Sequence, residues 1–379
     1  MAALALVASL LAGANPQAAA AAGDDGCERA LAAAGCVPPR SVATCDVCAG
    51  DHQRALRAAG CSDAAVRGWC GGGGRSFYVS AASGDDSADG TSPATAWLTL
   101  AAAGPRLAEG DTLLLQRGDA WLDETLSAAA AHLTVKSYGA ATLPAPLIQH
   151  GRGLNSEAPC AAFADADGLA VSDLHLSGCA GGLNIQPPSG ANATGVMLER
   201  LFAADIRTPM LVYSPPNPAW AAAIVLAGGA FENLTVRNCV GVRIDVFFRS
   251  QARVVGMHLD SNTVQSCSGN CFALGLGVGL VLENSVFLRD FSDRLFMYGV
   301  TDIIVGGMSG NNVVRNTDFN QRGEYQGGPD GCAFDFETSA EAFQVVGNMF
   351  YRSWGAVRRT IRSRFDRAID TMSLVFRGS

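Results

Sequence analysis

The sequence predicts an all-β solenoid, a parallel β-helix, preceded by a small α-helical module rich in disulfides. Three observations predict it. A unit of short apolar strand, Asn-centred turn and second strand recurs across residues 165–357. Six of the twelve cysteines crowd into residues 27–70. Between 165 and 350 no 3.6-residue periodicity is sustained, which disfavours a helical domain and leaves a β-propeller or sandwich as the alternative.

Composition bounds the rest. At 379 residues the chain can bury a large core. Charged residues are 16% and the net charge is −8, which disfavours a nucleic-acid partner. Residues 1–22 read as a secretory signal peptide: an apolar run breaks at Asn15-Pro16 and ends in small residues. A disordered Ala-rich terminus is the alternative. No run is long enough for a membrane span. Twelve cysteines fit secretion, extracellular or to the cell wall. Asn192-Ala-Thr194 and Asn233-Leu-Thr235 are N-glycosylation sequons.

Residues 23–70 form the cysteine module, with Cys27, Cys36, Cys45, Cys48, Cys61 and Cys70. It repeats itself: the segment from Arg29 to Cys36 reappears from Arg54 to Cys61 with seven of eight positions identical. Each copy reads as a short helix ended by Gly35 or Gly60. Helices this short need cross-links to hold them. Sequence does not choose among the fifteen pairings of six cysteines, and Cys45-x-x-Cys48 leaves zinc as an alternative. Residues 71–75 are a Gly linker to the β-helix domain, 76–357.

The next stretch carries a set of motifs: Tyr78-Val79-Ser80, Gly84-Asp85-Asp86, Asp89-Gly90-Thr91-Ser92-Pro93, Ala96 to Leu100, Gly110-Asp111-Thr112, Arg117-Gly118-Asp119 and Ser137-Tyr138-Gly139. In this order over about seventy residues, the set resembles the N-terminal part of the pectate-lyase-like (pectin-lyase-fold) superfamily. The resemblance implies a secreted right-handed parallel β-helix. It names no reaction, because that superfamily hosts lyases, hydrolases, epimerases and non-enzymes. Arg117-Gly118-Asp119 also spells an integrin-type tripeptide, but fits a strand-end turn better.

In the solenoid proper, the clearest turns centre on Asn284, Asn316 and Asn348. Looser copies centre on Asn238 and Asn262, with Asp173 and Arg200 in equivalent places. Asn tolerates the left-handed backbone of such bends. Asn316-Thr317-Asp318 matches part of the polygalacturonase signature, but the rest of that signature is missing, as is the Trp-Ile-Asp-His pattern of typical pectate lyases. Residues 358–379 carry a helical stripe, Ile361, Phe365, Ile369, Met372 and Phe376. It reads as an amphipathic helix capping the solenoid or as an incomplete C-terminus.

The candidate site is the run from Gly327 to Glu337. Alternation along a strand puts Phe334 inward and sends Asp335 and Glu337 outward together, with Asp330 in the preceding turn. Their Cα atoms stand roughly 6.5–7 Å apart, close to the spacing of an acid–base carboxylate pair in glycoside hydrolysis. The same two residues, Asp335 and Glu337, are candidate Ca²⁺ ligands. The resemblance implies how Ca²⁺ would act: it neutralises a uronate while an arginine takes the C5 proton, with Arg294 or Arg322 as that base. Tyr298, Tyr325 and Trp354 are candidates for stacking on sugar rings. A surface carboxylate pair matched with arginines is the plainer reading. The chain is therefore expected to bind an extracellular polysaccharide and to cleave it as a lyase or glycoside hydrolase. The alternative is a non-catalytic adhesin or cell-wall component. Oligomeric state is not legible.

Overall fold

The computed structural model describes residues 24–34, 36, 48–49, 52–61, 66, 74–151, 158–207, 221–290, 301–322, 332–336, 343–351, 355–359 and 369–376. The chain divides into two compact units, residues 1–74 and 75–379.

The first unit contains helices Asp24–Ala33 and Gln53–Ala58. Gly60 follows the second with φ of 82°, the left-handed stop its sequence suggested. Disulfides Cys27–Cys61 and Cys36–Cys48 surround the small core of Leu31, Ala49 and Leu56. The sulfur of Cys48 is thus bonded to carbon-bound sulfur rather than free as a thiolate metal ligand. Cys45 and Cys70 lie outside the described residues.

The second unit is a right-handed parallel β-helix. A 21-stranded sheet supplies two of its faces and a nine-stranded sheet the third, and the pairings between coils are parallel. The N-terminal motifs knit the first coil. Trp97 is buried, stacks on Phe77 with ring centroids 4.7 Å apart, and donates its indole N–H to the Ala88 carbonyl. Gly90, at φ of 72°, lies so close to the Trp97 ring that a Cβ there would come within 2.4 Å of it. Asp86 accepts from the backbone N–H groups of Leu98 and Thr99 and from the Thr99 hydroxyl. Asp119 accepts from the Ser80 hydroxyl and the Ala82 N–H, so the Arg-Gly-Asp tripeptide is part of the coil's own wiring.

The turn between the two faces of the large sheet has a left-handed residue in coil after coil: Gly118, Gly139, Asp173, Arg200, Asn238, Ser261, Asn284, Asn316 and Gly347. In two coils this is one residue earlier than the sequence motif places it. Asn262 and Asn348 are the next, inward position, and both are buried. There they bond across coils: Asn262 Oδ1 accepts from Cys239 N and its amide donates to the Val236 carbonyl; Asn348 does the same for Thr317 N and Val314. Inside, Phe287, Phe319 and Phe350 stack coil on coil, with centroids 5.0–5.1 Å apart, and Phe272 meets Phe287 edge-on across the coil at 5.2 Å. Fully burying such a side chain contributes about 1.5–3 kcal/mol, and no single coil could achieve it.

The tail corrects one expectation. Ile369–Phe376 is a strand paired with Phe343–Tyr351, and Gly355–Arg359 is a strand paired with Cys332–Phe336. The capping helix is therefore not formed over these residues. Its apolar stripe also reads as strand, since Leu374-Val375-Phe376 is an aliphatic-aromatic run with a neighbour to pair with. The register along an existing edge outweighs a weak helical propensity.

Candidate functional site

The nine-stranded sheet runs from Leu126–Ala129 through Pro159–Ala164, Gly181–Ile185, Ala222–Leu226, Val246–Ser250, Phe272–Leu274, Ile303–Val305 and Cys332–Phe336 to Gly355–Arg359. Residues such as Phe163, Phe248, Phe272, Ile303 and Phe334 enter the core, so the alternate positions face outward. The register joins these into one row: Ser127, Ala162, Asn184, Val225, Arg249, Ala273, Ile304, Asp335 and Arg358. At about 4.8 Å per strand its eight steps span about 38 Å. Ser127 is exposed, and the row from Ala162 to Ile304 is half-buried. Its members are small or aliphatic except Ser127, Asn184, Arg249, Asp335 and Arg358.

Asp335 thus takes the outward position, opposite Phe334, that alternation assigns it. It is nonetheless buried, at 4% exposure. Ile304 and Arg358 hold the flanking register positions. Arg249 stands three strands away from Asp335, about 14 Å at Cα. Burial pulls its guanidinium below the ordinary arginine range, and Asp245 acts in the opposite direction. Sequence reasoning missed Arg249. The signal was a charge inside the apolar run Val246-Phe247-Phe248-Arg249, at an outward position of that strand.

A buried polar corner braces the start of Ile303–Val305. Arg289 and Asp302 are both fully buried, with Nε 2.9 Å from the carboxylate. Gln321 donates to the other Asp302 oxygen at 3.0 Å. The Arg289 Nη2 donates to the carbonyls of Thr301 and Gly269 and sits 3.1 Å from the sulfur of Cys271, which is bonded to Cys267. Burial pushes the Asp302 carboxyl above its usual range, against the pull of Arg289 and Gln321. These groups tie three successive coils together beside the row.

Other charged side chains along the coils form ion pairs. His258 and Arg315 both contact Glu283, at 2.8 and 2.6 Å. Arg243 pairs with Asp205 on the surface, whereas Asp245 is buried against Ser268. Arg243 and Asp245, two residues apart on one strand run, do not share a face, because the left-handed φ of 52° at Arg243 breaks the alternation. Asn192 and Asn233 are exposed, and the Asn192 amide donates to Glu232.

Asp330, Glu337, Arg294, Tyr298, Tyr325 and Trp354 lie outside the described residues. Arg322 ends the strand Asp318–Arg322. In chain order, Arg294 and Tyr298 precede Ile303–Val305, Tyr325 and Asp330 precede Cys332–Phe336, Glu337 follows it, and Trp354 precedes Gly355–Arg359. All six therefore lie, in sequence, in segments leading into or out of the last three strands of this sheet. A calcium ion takes six to eight oxygen ligands. Among the described residues the row contains one carboxylate, Asp335, so a calcium site here would draw on Asp330 and Glu337.

No protein-family model matches the chain, and no curated protein matches it in sequence. Solved structures do. A GH136 lacto-N-biosidase from Eubacterium ramulus has a TM-score of 0.52 at 15% identity over 83% of this chain, which spans 64% of that enzyme's length. A rhamnogalacturonan lyase has a TM-score of 0.52 at 13% identity, over 80% of this chain and 89% of the other. At these identities what is shared is the fold, a parallel β-helix.

Proposed function

We propose that this chain is a secreted carbohydrate-active protein that binds an extracellular polysaccharide along the outward row of the nine-stranded sheet and cleaves it. The observation that carries the reading is the row itself. A strip about 38 Å long, floored by small side chains, suits an extended polymer better than a compact ligand. Charge is confined to its later half, at Arg249, Asp335 and Arg358. The six candidate residues outside the described segments all lie, in sequence, next to strands of that same half. Both structural neighbours carry the names of carbohydrate-cleaving enzymes. Disulfides in both units accord with secretion, and no helix among the described residues is long and apolar enough to cross a membrane.

In this reading Asp335 acts with Asp330 or Glu337 as the acid–base pair at the scissile linkage, or with them holds Ca²⁺ while an arginine removes a proton. Arg249 is too far from Asp335 to serve the same sugar ring, and it binds a neighbouring residue of the polymer. Arg294, Arg322, Tyr298, Tyr325 and Trp354 complete the substrate contacts. One observation favours a second reading, a non-catalytic adhesin: the burial of Asp335.

The test is digestion of neutral and uronic polysaccharides, with and without Ca²⁺, by wild type and an Asp335→Asn/Glu337→Gln double variant. New reducing ends report cleavage, and absorbance of unsaturated uronates separates elimination from hydrolysis. Cleavage that falls at least about 100-fold in the variant is expected for acid–base groups. Polysaccharide binding without cleavage, unchanged in the variant, would establish the adhesin instead.

A further inference from the structure

The early end of the same sheet holds a concavity that the cleavage chemistry does not use. Ala129, Ala164, Gln186 and Ala227 come two residues after Ser127, Ala162, Asn184 and Val225, so they form a second outward row beside the first. The backbone ladder continues through them: Gln186 N–H donates to Phe163 and Ala227 N–H to Ile185. They floor a pocket of about 1040 Å³. Pro187 and Pro188 and the turn at Gly228-Gly229 line it just past the strand ends. These two segments pack closely on each other: a Cβ on Gly229 would fall 2.4 Å from Pro187 Cγ.

The chemistry of this lining is one-sided. It offers the exposed Gln186 and Asn192 amides, the latter donating to Glu232, the half-buried Asp165 carboxylate, a serine and exposed backbone, over alanine and proline surface. None of its side chains is cationic. A carboxylate facing the cavity without a cation repels uronates and sulfated sugars, while amide, carboxylate and backbone groups over an apolar floor match the hydroxyls and C–H faces of a neutral sugar.

We propose that this pocket is a subsite for neutral sugar residues, placed about 24 Å, five strand steps, from Asp335 along the sheet. The proposal rests on the reading of the sheet as a polysaccharide groove and adds its substrate class: a glycan, or a branch of one, whose residues at this end carry no acid.

Isothermal titration calorimetry with trisaccharides tests it, using galactan-, xylan-, mannan- and arabinan-derived probes against oligogalacturonate and oligoalginate. The proteins are wild type, Ala164→Trp, Gln186→Ala, Arg249→Ala and Asp335→Asn. Ala164 is exposed, so tryptophan there fills the pocket without entering the core, and thermal unfolding checks that each variant folds. At least one neutral trisaccharide should bind wild type. It should lose about tenfold in affinity in Gln186→Ala and bind Ala164→Trp undetectably. Neutral probes that bind Ala164→Trp as well as wild type, or that do not bind at all, overturn the subsite, as does uronate binding abolished by Ala164→Trp. The wider reading fails differently: neutral probes still bind the pocket, but long polysaccharide binds Arg249→Ala and Asp335→Asn as tightly as wild type.

Discussion

Single residues at the turn of the large sheet decide whether coils lock together. Asn348 satisfies two backbone groups of the preceding coil, Thr317 N–H and the Val314 carbonyl, and is 1% exposed. Asn348→Ala leaves both groups buried without a partner. Each costs about 1–3 kcal/mol, so the variant should unfold at clearly lower denaturant, about 2–4 kcal/mol less stable. Asn348→Asp keeps the acceptor but loses the donor, and should fall between. A chemical denaturation series measures this, and an alanine variant as stable as wild type would show that water fills both roles. By contrast Asn284 is exposed, and its amide donates to Asp260 at the surface. Asn284→Ala should cost little beyond the strain of a left-handed alanine. Two asparagines that look alike in sequence thus belong to different columns of the turn.

Among elements, the strand Ile303–Val305 is where the candidate site and the scaffold meet. Its first neighbour is the buried Arg289–Asp302 pair, and its outward Ile304 abuts Asp335. Removing one member of a buried pair leaves the other charge uncompensated, typically at about 3–5 kcal/mol. Arg289→Met should therefore destabilise strongly, whereas Arg289→Met combined with Asp302→Leu should recover much of the loss. Stability curves of the three variants check it; a double variant no better than the single would mean that the hydrogen bonds to Thr301 and Gly269 matter more than the charges. The pair also shows what sequence could and could not reveal. The run of coils, the inward phenylalanines and the outward place of Asp335 were legible because strand periodicity alone fixes them. The pairing of Arg289 with Asp302, and of both with Gln321, was not, because it depends on how connections of unequal length bring separate coils into register. Arg249 was missed for a related reason: an arginine in an apolar run gains meaning only when eight other strands place it in a row. The tail misled in the opposite way, since a helical stripe is a local pattern and the edge it pairs with is not.

At the scale of the whole molecule, charge bookkeeping along the solenoid predicts acid lability. Burial raises the affinity of Asp86 for its proton, but the hydrogen bonds from Thr99 and Leu98 and the nearby Arg106 outweigh it and hold the carboxyl below its usual range. The Arg200 hydrogen bonds do the same for Asp173, against burial. Arg315 and His258 do it for Glu283. A carboxyl whose affinity for protons is lower folded than unfolded stabilises the fold above its ordinary range, and that contribution is lost as pH falls through the folded value. Asp302 has the opposite sign: raised by burial, it favours the fold when protonated and weakens it as pH rises. Three groups spread over the N-terminal coil and the large sheet oppose one at the corner. The unfolding temperature should therefore hold steady near neutrality and drop below about pH 4. Glu283→Gln should shrink the drop, because glutamine carries no proton-linked charge, and added salt should shrink it too, since Arg315 is half-exposed and its pairing is screened. Thermal melts between about pH 7 and pH 2.5 at fixed ionic strength read the effect. A wild-type profile flat across that range would mean that the unfolded chain holds these carboxyls at the same proton affinity as the coils do.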